Sequence, residues 1–180
     1  ARALLAAAGY QDSDGDGIVE KNGVPLVIGL GIYRRLSSEA IATEMQAQLR
    51  GVGIKIEVHP HEKSSFFSSG DFDLGIYSVV TMPTGDPYAF LRDAVGSMGV
   101  ANYGHYRSAA ADQALTQLAV TFDPAQRIQL VNQIQQQVID DRAMDFIGFN
   151  TMQVGMAKGV SGLLSTPSDY YQVTKDLDKE

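Results

Sequence analysis

The stretch from Pro25 to Tyr77 constrains the fold more than any other part of the chain. Pro25–Tyr33 (PLVIGLGIY) is a near-continuous apolar run, the pattern of a strand covered on both faces. Ser37 or Ser38 is placed to cap a helix running through Arg50. Ile41, Met45, Leu49 and Val52 recur at helical spacing, and Gly51 stands where a helix would end on a left-handed residue. Ile54–His59 then alternates, with Ile54, Ile56 and Val58 on one face and Lys55, Glu57 and His59 on the other. Ser64–Ser69 (SSFFSS) reads as a short helical connector whose Phe66 and Phe67 compete for the core, and Phe72–Val80 as a third strand. A strand, a crossover helix and a parallel strand form one right-handed unit. The predicted class is therefore α/β, a mostly parallel sheet flanked by helices.

Length and charge narrow what such a fold can serve. The 180 residues suffice for one domain with a real core. Apolar residues make up 44% and charged residues 19%, a globular balance. A net charge of −7 argues against nucleic acid and anionic membrane as partners. With no Cys, disulfides, zinc–thiolate sites and thiol catalysis are excluded. No apolar run is long enough to span a bilayer, and no signal peptide is evident. The opening Ala1–Ala8 (ARALLAAA) is a helix pattern with no residue before it to cap it, and reads as a cut start.

Several clusters carry possible chemistry. Asp12, Asp14 and Asp16 alternate ahead of Gly17, Ile18 and Glu20, like the first half of a calcium loop, with the Ile18 carbonyl as the next ligand. The twelfth position is Gly23 rather than a bidentate Glu. The competing reading is a Gly-rich turn whose Asp side chains bond their own backbone. His59 and His61 share a face if their strand persists past Pro60, but two ligands do not make a metal site. Thr81–Leu91 follows the third strand, and ligands of open α/β sheets bind beyond the carboxyl ends of strands. Within it, Asp86-Pro87 reads as a helix start. Gly96–Tyr106 is irregular and aromatic, with Tyr103, His105 and Tyr106 together.

The second half reads as helices. Ala109–Phe122 carries Leu115, Leu118, Ala119 and Phe122 on one face. Asp123-Pro124 starts another helix running to about Asp141, with Leu130, Val131, Ile134 and Val138 inward and a Gln-rich outer face. Asp145–Asn150 and Met152–Met156 have strand patterns separated by a kink. There is no phosphate loop, no Ser elbow and no His-Glu zinc helix; Asp71 and Asp73 could at most be proposed as an acid–base pair.

Taken in order, ALLAAAGY (3–10), DGDGIVEKNGVPLVIGL (14–30), SSEAIATEMQAQLRGVGIKIEV (37–58), FDLGIYSV (72–79), GDPYAFL (85–91) and TFDPAQRIQLVNQIQQQVIDD (121–141) resemble the C-terminal half of family 5 solute-binding proteins. These serve ABC importers for oligopeptides, dipeptides and nickel. The resemblance implies the second lobe of a type II periplasmic-binding-protein-like fold. Residues 1–150 would form that lobe, and 151–180 would return to the first lobe through a hinge near Asn150–Gln153. It further implies a receptor rather than an enzyme, held outside the cytoplasm, either periplasmic or lipid-anchored. Such a receptor would close on a peptide or nickel complex and dock on an ABC permease. In this family the segment around the Asp-Pro helix start faces the cleft. The implied cleft wall is Thr81, Met82, Thr84, Asp86 and Tyr88, joined by Tyr103 and His105. Family members often have a Trp there, which this chain lacks, and Thr81–Gly85 holds no acid. The rival readings are a hydrolase using Asp71, Asp73 or Asp86, and a calcium-dependent interaction module on Asp12–Glu20.

Overall fold

The computed structural model describes residues 1–35, 37–82, 84–149, 154–164 and 174–179. They fall into two compact units, Ala1–Val79 and Val80–Glu180. The expected hinge at Asn150–Gln153 and the tail tyrosines Tyr170 and Tyr171 lie outside the described residues. No helix among the described residues is long and apolar enough to cross a membrane.

The first unit opens with helix α1 (Arg2–Ala7), which stops at Gly9, a left-handed residue with φ 87°. After the acidic turn come β1 (Glu20–Lys21) and β2 (Val24–Pro25), an antiparallel pair with Lys21 opposite Val24. Asn22 and Gly23 between them both take positive φ (56° and 76°), the two-residue turn that matches strand twist and that Asn-Gly favours. Strand β3 (Val27–Tyr33), helix α2 (Ser38–Arg50) and strand β4 (Lys55–His61) follow. A 3-10 turn over Ser64–Ser69 then leads to β5 (Leu74–Ile76).

The sheet order is β4-β3-β5, and both pairings are parallel, as the apolar run predicts. Leu30 and Ile32 point from β3 toward α2 and are at most 1% exposed; they pack with Ala42 and Ile56. The opposite face is lined by glycines. A Cβ on Gly31 would lie 2.6 Å from Phe66, and one on Gly75 2.8 Å from Phe67. The rings of Phe66, Phe67 and Phe72 thus sit directly on backbone, with Phe66 and Phe67 4.0 Å apart between centroids. Their competition for the core resolves in favour of Phe67, 2% exposed, while Phe66 stacks on His61 at 4.0 Å.

The second unit contains α3 (Tyr88–Ala94), α4 (Ala109–Val120) and α5 (Pro124–Asp140), followed by a short antiparallel pair, β6 (Val160–Ser161) and β7 (Asp178–Lys179). Leu91, Val95, Leu115, Leu118, Ile134 and Val138 form its core. Ser108 caps α4 through the Ala111 N–H, and Asp123 caps α5 through the Gln126 N–H.

Several expectations are corrected here. Gly51 is right-handed (φ −61°); the left-handed residue is Gly53, at φ 93°. One more turn intervenes because the Ile54 N–H reaches back to the Leu49 carbonyl, and a Cβ on Gly53 would come 2.7 Å from Val19. Strand β4 runs through Pro60 to His61, since Pro is tolerated in a strand at the edge of the described sheet. Strand β5 is shorter than Phe72–Val80, because its register with β3 covers only Leu74–Ile76. Helix α4 ends at Val120, so Phe122 lies beyond it, 88% exposed; Ala119 is also exposed, and Ala111 and Ala114 complete the inward face. Neither Asp145–Phe149 nor the described end of the second pattern, 154–156, forms a ladder. Alternation alone makes no strand without a partner for the backbone.

Candidate functional site

The segment from Thr81 to Tyr88 is fixed at its carboxyl end. Gly85, at φ 79°, closes a turn by donating to the Met82 carbonyl at 3.1 Å. Asp86 Oδ1 accepts the Tyr88 N–H at 2.8 Å at the start of α3; the N-cap is Pro87, one residue later than the Asp-Pro pair predicts. Its other oxygen, Oδ2, accepts both Nε (3.1 Å) and Nη2 (2.6 Å) of Arg127. Burial pushes the Asp86 carboxyl up, but the Tyr88 N–H and the Arg127 guanidinium outweigh it and hold the carboxyl below its ordinary range. Before that anchor, Thr81 is half-buried, whereas Met82, Thr84 and Gly85 are exposed.

A second loop is organised by Asn102, 8% exposed. Its Nδ2 donates to the carbonyls of Gly96 (3.1 Å) and Tyr106 (2.7 Å), and its Oδ1 accepts the Tyr106 N–H at 2.9 Å. This fork folds residues 96–106 back on themselves and leaves His105 exposed at φ 52°, with Tyr103 half-buried. The Tyr106 hydroxyl donates to Asp141 Oδ2 at 2.5 Å. Burial and the Asp141 carboxylate together raise the phenol above its usual value.

Beside α3, α4 and the start of the second loop, the second unit has an open hollow of about 570 Å³. Tyr88, Arg92, Asp93, Met98 and Asp112 are among its lining residues. Of the seven cleft-wall residues the sequence suggests, Tyr88 alone is in that lining; Thr81, Met82, Thr84, Asp86, Tyr103 and His105 are not. Arg92 pairs with Asp93 through Nε at 2.7 Å and lies over the Tyr88 ring at 5.8 Å. Asp112 Oδ1 accepts the Ser97 N–H at 2.9 Å.

The acidic turn brings Asp12, Asp14, Asp16 and Glu20 together, each with an oxygen within 4.8 Å of the others. All four carboxylates accept bonds within the turn. Asp12 takes the Gly15 and Gly17 N–H groups, Asp14 the Asp16 N–H, Asp16 the Ile18 N–H, and Glu20 both the N–H and the hydroxyl of Ser13. Calcium takes six to eight oxygens; these side chains bring four carboxylates that the backbone already engages. Ile18 anchors the turn with its side chain, 2% exposed.

The residues of the hydrolase reading are apart in role. Asp73 Oδ2 accepts the Gly29 N–H at 2.7 Å, across the sheet. The Asp71 N–H bonds Ser69 Oγ at 3.3 Å, and its side chain is exposed. His61 Nε2 is buried against Phe66 with no hydrogen-bond partner among the described residues.

Glu20, at the end of the acidic cluster in the sequence, joins the three Asp carboxylates in space. One contributor escapes the sequence patterns. Arg127 sits in line with Val131, Ile134 and Val138, four, seven and eleven residues on; a cation on an apolar helical stripe was the available signal.

The mixed α/β fold with its parallel sheet agrees with the comparisons to known proteins. Residues 1–102 match the family described as bacterial extracellular solute-binding proteins, family 5 Middle. That is more than half of the sequence, and the chain belongs to this family. It is 28% identical to the oligopeptide-binding protein AppA of Bacillus subtilis over 97% of its own length and 33% of that protein's. It is 26% identical to the nickel-binding protein NikA of Staphylococcus aureus, over 96% of its own length and 34% of that protein's. The chain thus spans about a third of the length of these relatives. Among solved structures, AppA in complex with a nonapeptide superposes with a TM-score of 0.63 at 27% identity, covering 79% of this chain and 29% of that one. Staphylococcus aureus NikA in complex with Ni(L-His)2 gives 0.77 over 99% of this chain and 37% of that one; at 24% identity it shows the fold.

Proposed function

We propose that this chain is the second, ligand-binding lobe of an extracytoplasmic receptor that delivers a peptide-like solute or a nickel complex to an ABC permease. The observation that carries this reading is the match along nearly the whole chain to an oligopeptide-binding protein about three times as long. Residues 1–150 form the lobe, and 151–180 lead back to the first lobe. The wall facing the solute is Thr81, Met82, Thr84, Asp86 and Tyr88, with Tyr103 and His105 beside it. The solute bridges both lobes and shifts an open–closed equilibrium toward the closed form that the permease accepts. No bond is made or broken.

Half of a clamp's contacts come from each lobe, and affinity depends on enclosing the ligand. Titration calorimetry with a random nonapeptide pool and with Ni(II)–L-histidine checks this. The full-length receptor is expected to bind one of the two, and this chain alone to bind it at least about 100-fold more weakly. Equal affinity in both proteins, or binding of neither probe by the full-length receptor, overturns the reading.

A further inference from the structure

We infer that Arg127 is a positioning residue for solute binding, a latch that fixes the end of the Thr81–Asp86 loop to the corner between α4 and α5. This rests on the reading of that loop as the cleft wall. The guanidinium spends its donors on three partners at once. Nε and Nη2 hold Asp86 Oδ2, at 3.1 and 2.6 Å, while Nη1 donates to the carbonyls of Leu118 at 2.8 Å and Thr121 at 2.6 Å. Leu118 lies in the last turn of α4 and Thr121 is its C-cap. Those carbonyls have no partner within the helix, and a cation there also meets the negative end of the helix dipole. Arg127 itself is in the first turn of α5, whose start is capped by Asp123. One planar group therefore joins the end of α4, the start of α5 and the residue that starts α3.

What this holds in place is the loop rather than the helices alone. Upstream of Asp86, Met82, Thr84 and Gly85 are exposed, and among the described residues the loop's own backbone closes a single turn. Asp86 is where the loop meets the rigid part of the unit, and its carboxylate is divided between Tyr88 and Arg127. Arg127 is the more buried partner, with 22% of its side chain exposed against 40% for Asp86. The loop is thus tethered to a fixed post. A lysine could replace the charge but not the fork, because an ammonium on a flexible stem cannot serve a carboxylate and two carbonyls in fixed directions. A wall fixed before the solute arrives need not be ordered by the solute, so the latch acts on affinity.

The test uses the full-length receptor with Asp86→Asn, Arg127→Lys and Arg127→Met. Asp86→Asn leaves the bonds from Arg127 to Leu118 and Thr121 intact, so it separates latching from helix capping. Hydrogen exchange is followed at Thr84–Tyr88 and, as an internal reference, at Leu130–Val138. Binding is measured with the nonapeptide pool and with Ni(II)–L-histidine. Asp86→Asn and Arg127→Lys are each expected to speed exchange at Thr84–Tyr88 about threefold to fivefold with the reference amides unchanged. They are also expected to weaken the bound probe about threefold to fivefold. Unchanged exchange at Thr84–Tyr88 in Asp86→Asn overturns the latch, leaving Arg127 a helix cap. Faster exchange with wild-type affinity overturns the link to binding. Binding of neither probe by the wild type counts against the solute-binding reading, and the exchange measurement then decides the latch alone.

Discussion

At the scale of single residues, Asp86 shows what sequence conveys and what it leaves out. That it starts a helix with Pro87 was legible, because capping is decided by neighbours in the chain. That it pairs with Arg127 was not, because the two are 41 residues apart and meet only when α3 and α5 pack. Similarly, Gly51 and Gly53 both suit a helix end, and the choice falls to Gly53 through contact with distant Val19. The pairing of Asp86 has a pH consequence. Its folded carboxyl lies below the unfolded value of about 3.9, owing to Tyr88 and Arg127 against the opposing pull of burial. The stabilisation is therefore present above about pH 4 and fades as pH falls through the lowered folded value. With 40% of the Asp86 side chain exposed, solvent screening limits the pair to about 1 kcal/mol or less. Asp86→Asn is expected to cost that much at pH 7 and to make urea midpoints less sensitive to pH between about 3 and 5. An Asp86→Asn protein with the wild-type acid limb would show that other carboxylates set it.

At the scale of elements, the helices and the central strand were legible and the strand ends were not. Helix α5 declares itself by its Asp-Pro start and by Ile134 and Val138 on one stripe, all local features. Strand lengths depend on partners: β4 extends to His61 because β3 runs alongside it to Tyr33, and β5 stops where its register with β3 stops. The apolar run of β3 correctly implies two covered faces, but its glycines did not reveal that rings from residues 66–72 cover the second one. Gly31→Ala tests this arrangement. The new methyl would lie 2.6 Å from Cε2 of Phe66 and 3.3 Å from Cβ of Phe72, so the Phe66 ring must shift from its present place. Such overpacking costs about 1–3 kcal/mol, read as a lower urea midpoint. Gly104→Ala serves as a control, since no heavy atom lies within 4 Å of its added carbon. Equal midpoints for the two variants would mean the aromatic layer yields freely.

At the scale of the molecule, the fold class and the family were readable because ordered segments along most of the chain carry them, whereas the cleft is shared with residues outside this chain in the proposed receptor. The exposed stretch that follows α5 fits that view. Phe146, Ile147 and Phe149 are 51%, 61% and 94% exposed, in a stretch that forms no ladder. Apolar side chains clustered at a surface drive association. The isolated chain is expected to self-associate at micromolar concentration, and Ile147→Ser with Phe149→Ser to shift it toward monomer in light scattering. The same pair in the full-length receptor is expected to lower its melting temperature instead, if these residues are covered there. The parallel order β4-β3-β5 also bears on how the chain is made. Synthesis delivers the middle strand first, and neither neighbour exists until residues 55 and 74 have followed. Helix α2 comes next and can screen the Leu30–Ile32 face, since it needs no distant partner. The glycine face has no such early cover and waits for Phe66 and Phe67. For that interval the nascent chain presents an apolar ribbon bare on one side and on both edges, so a factor that holds newborn chains would find its first grip at Val27–Tyr33.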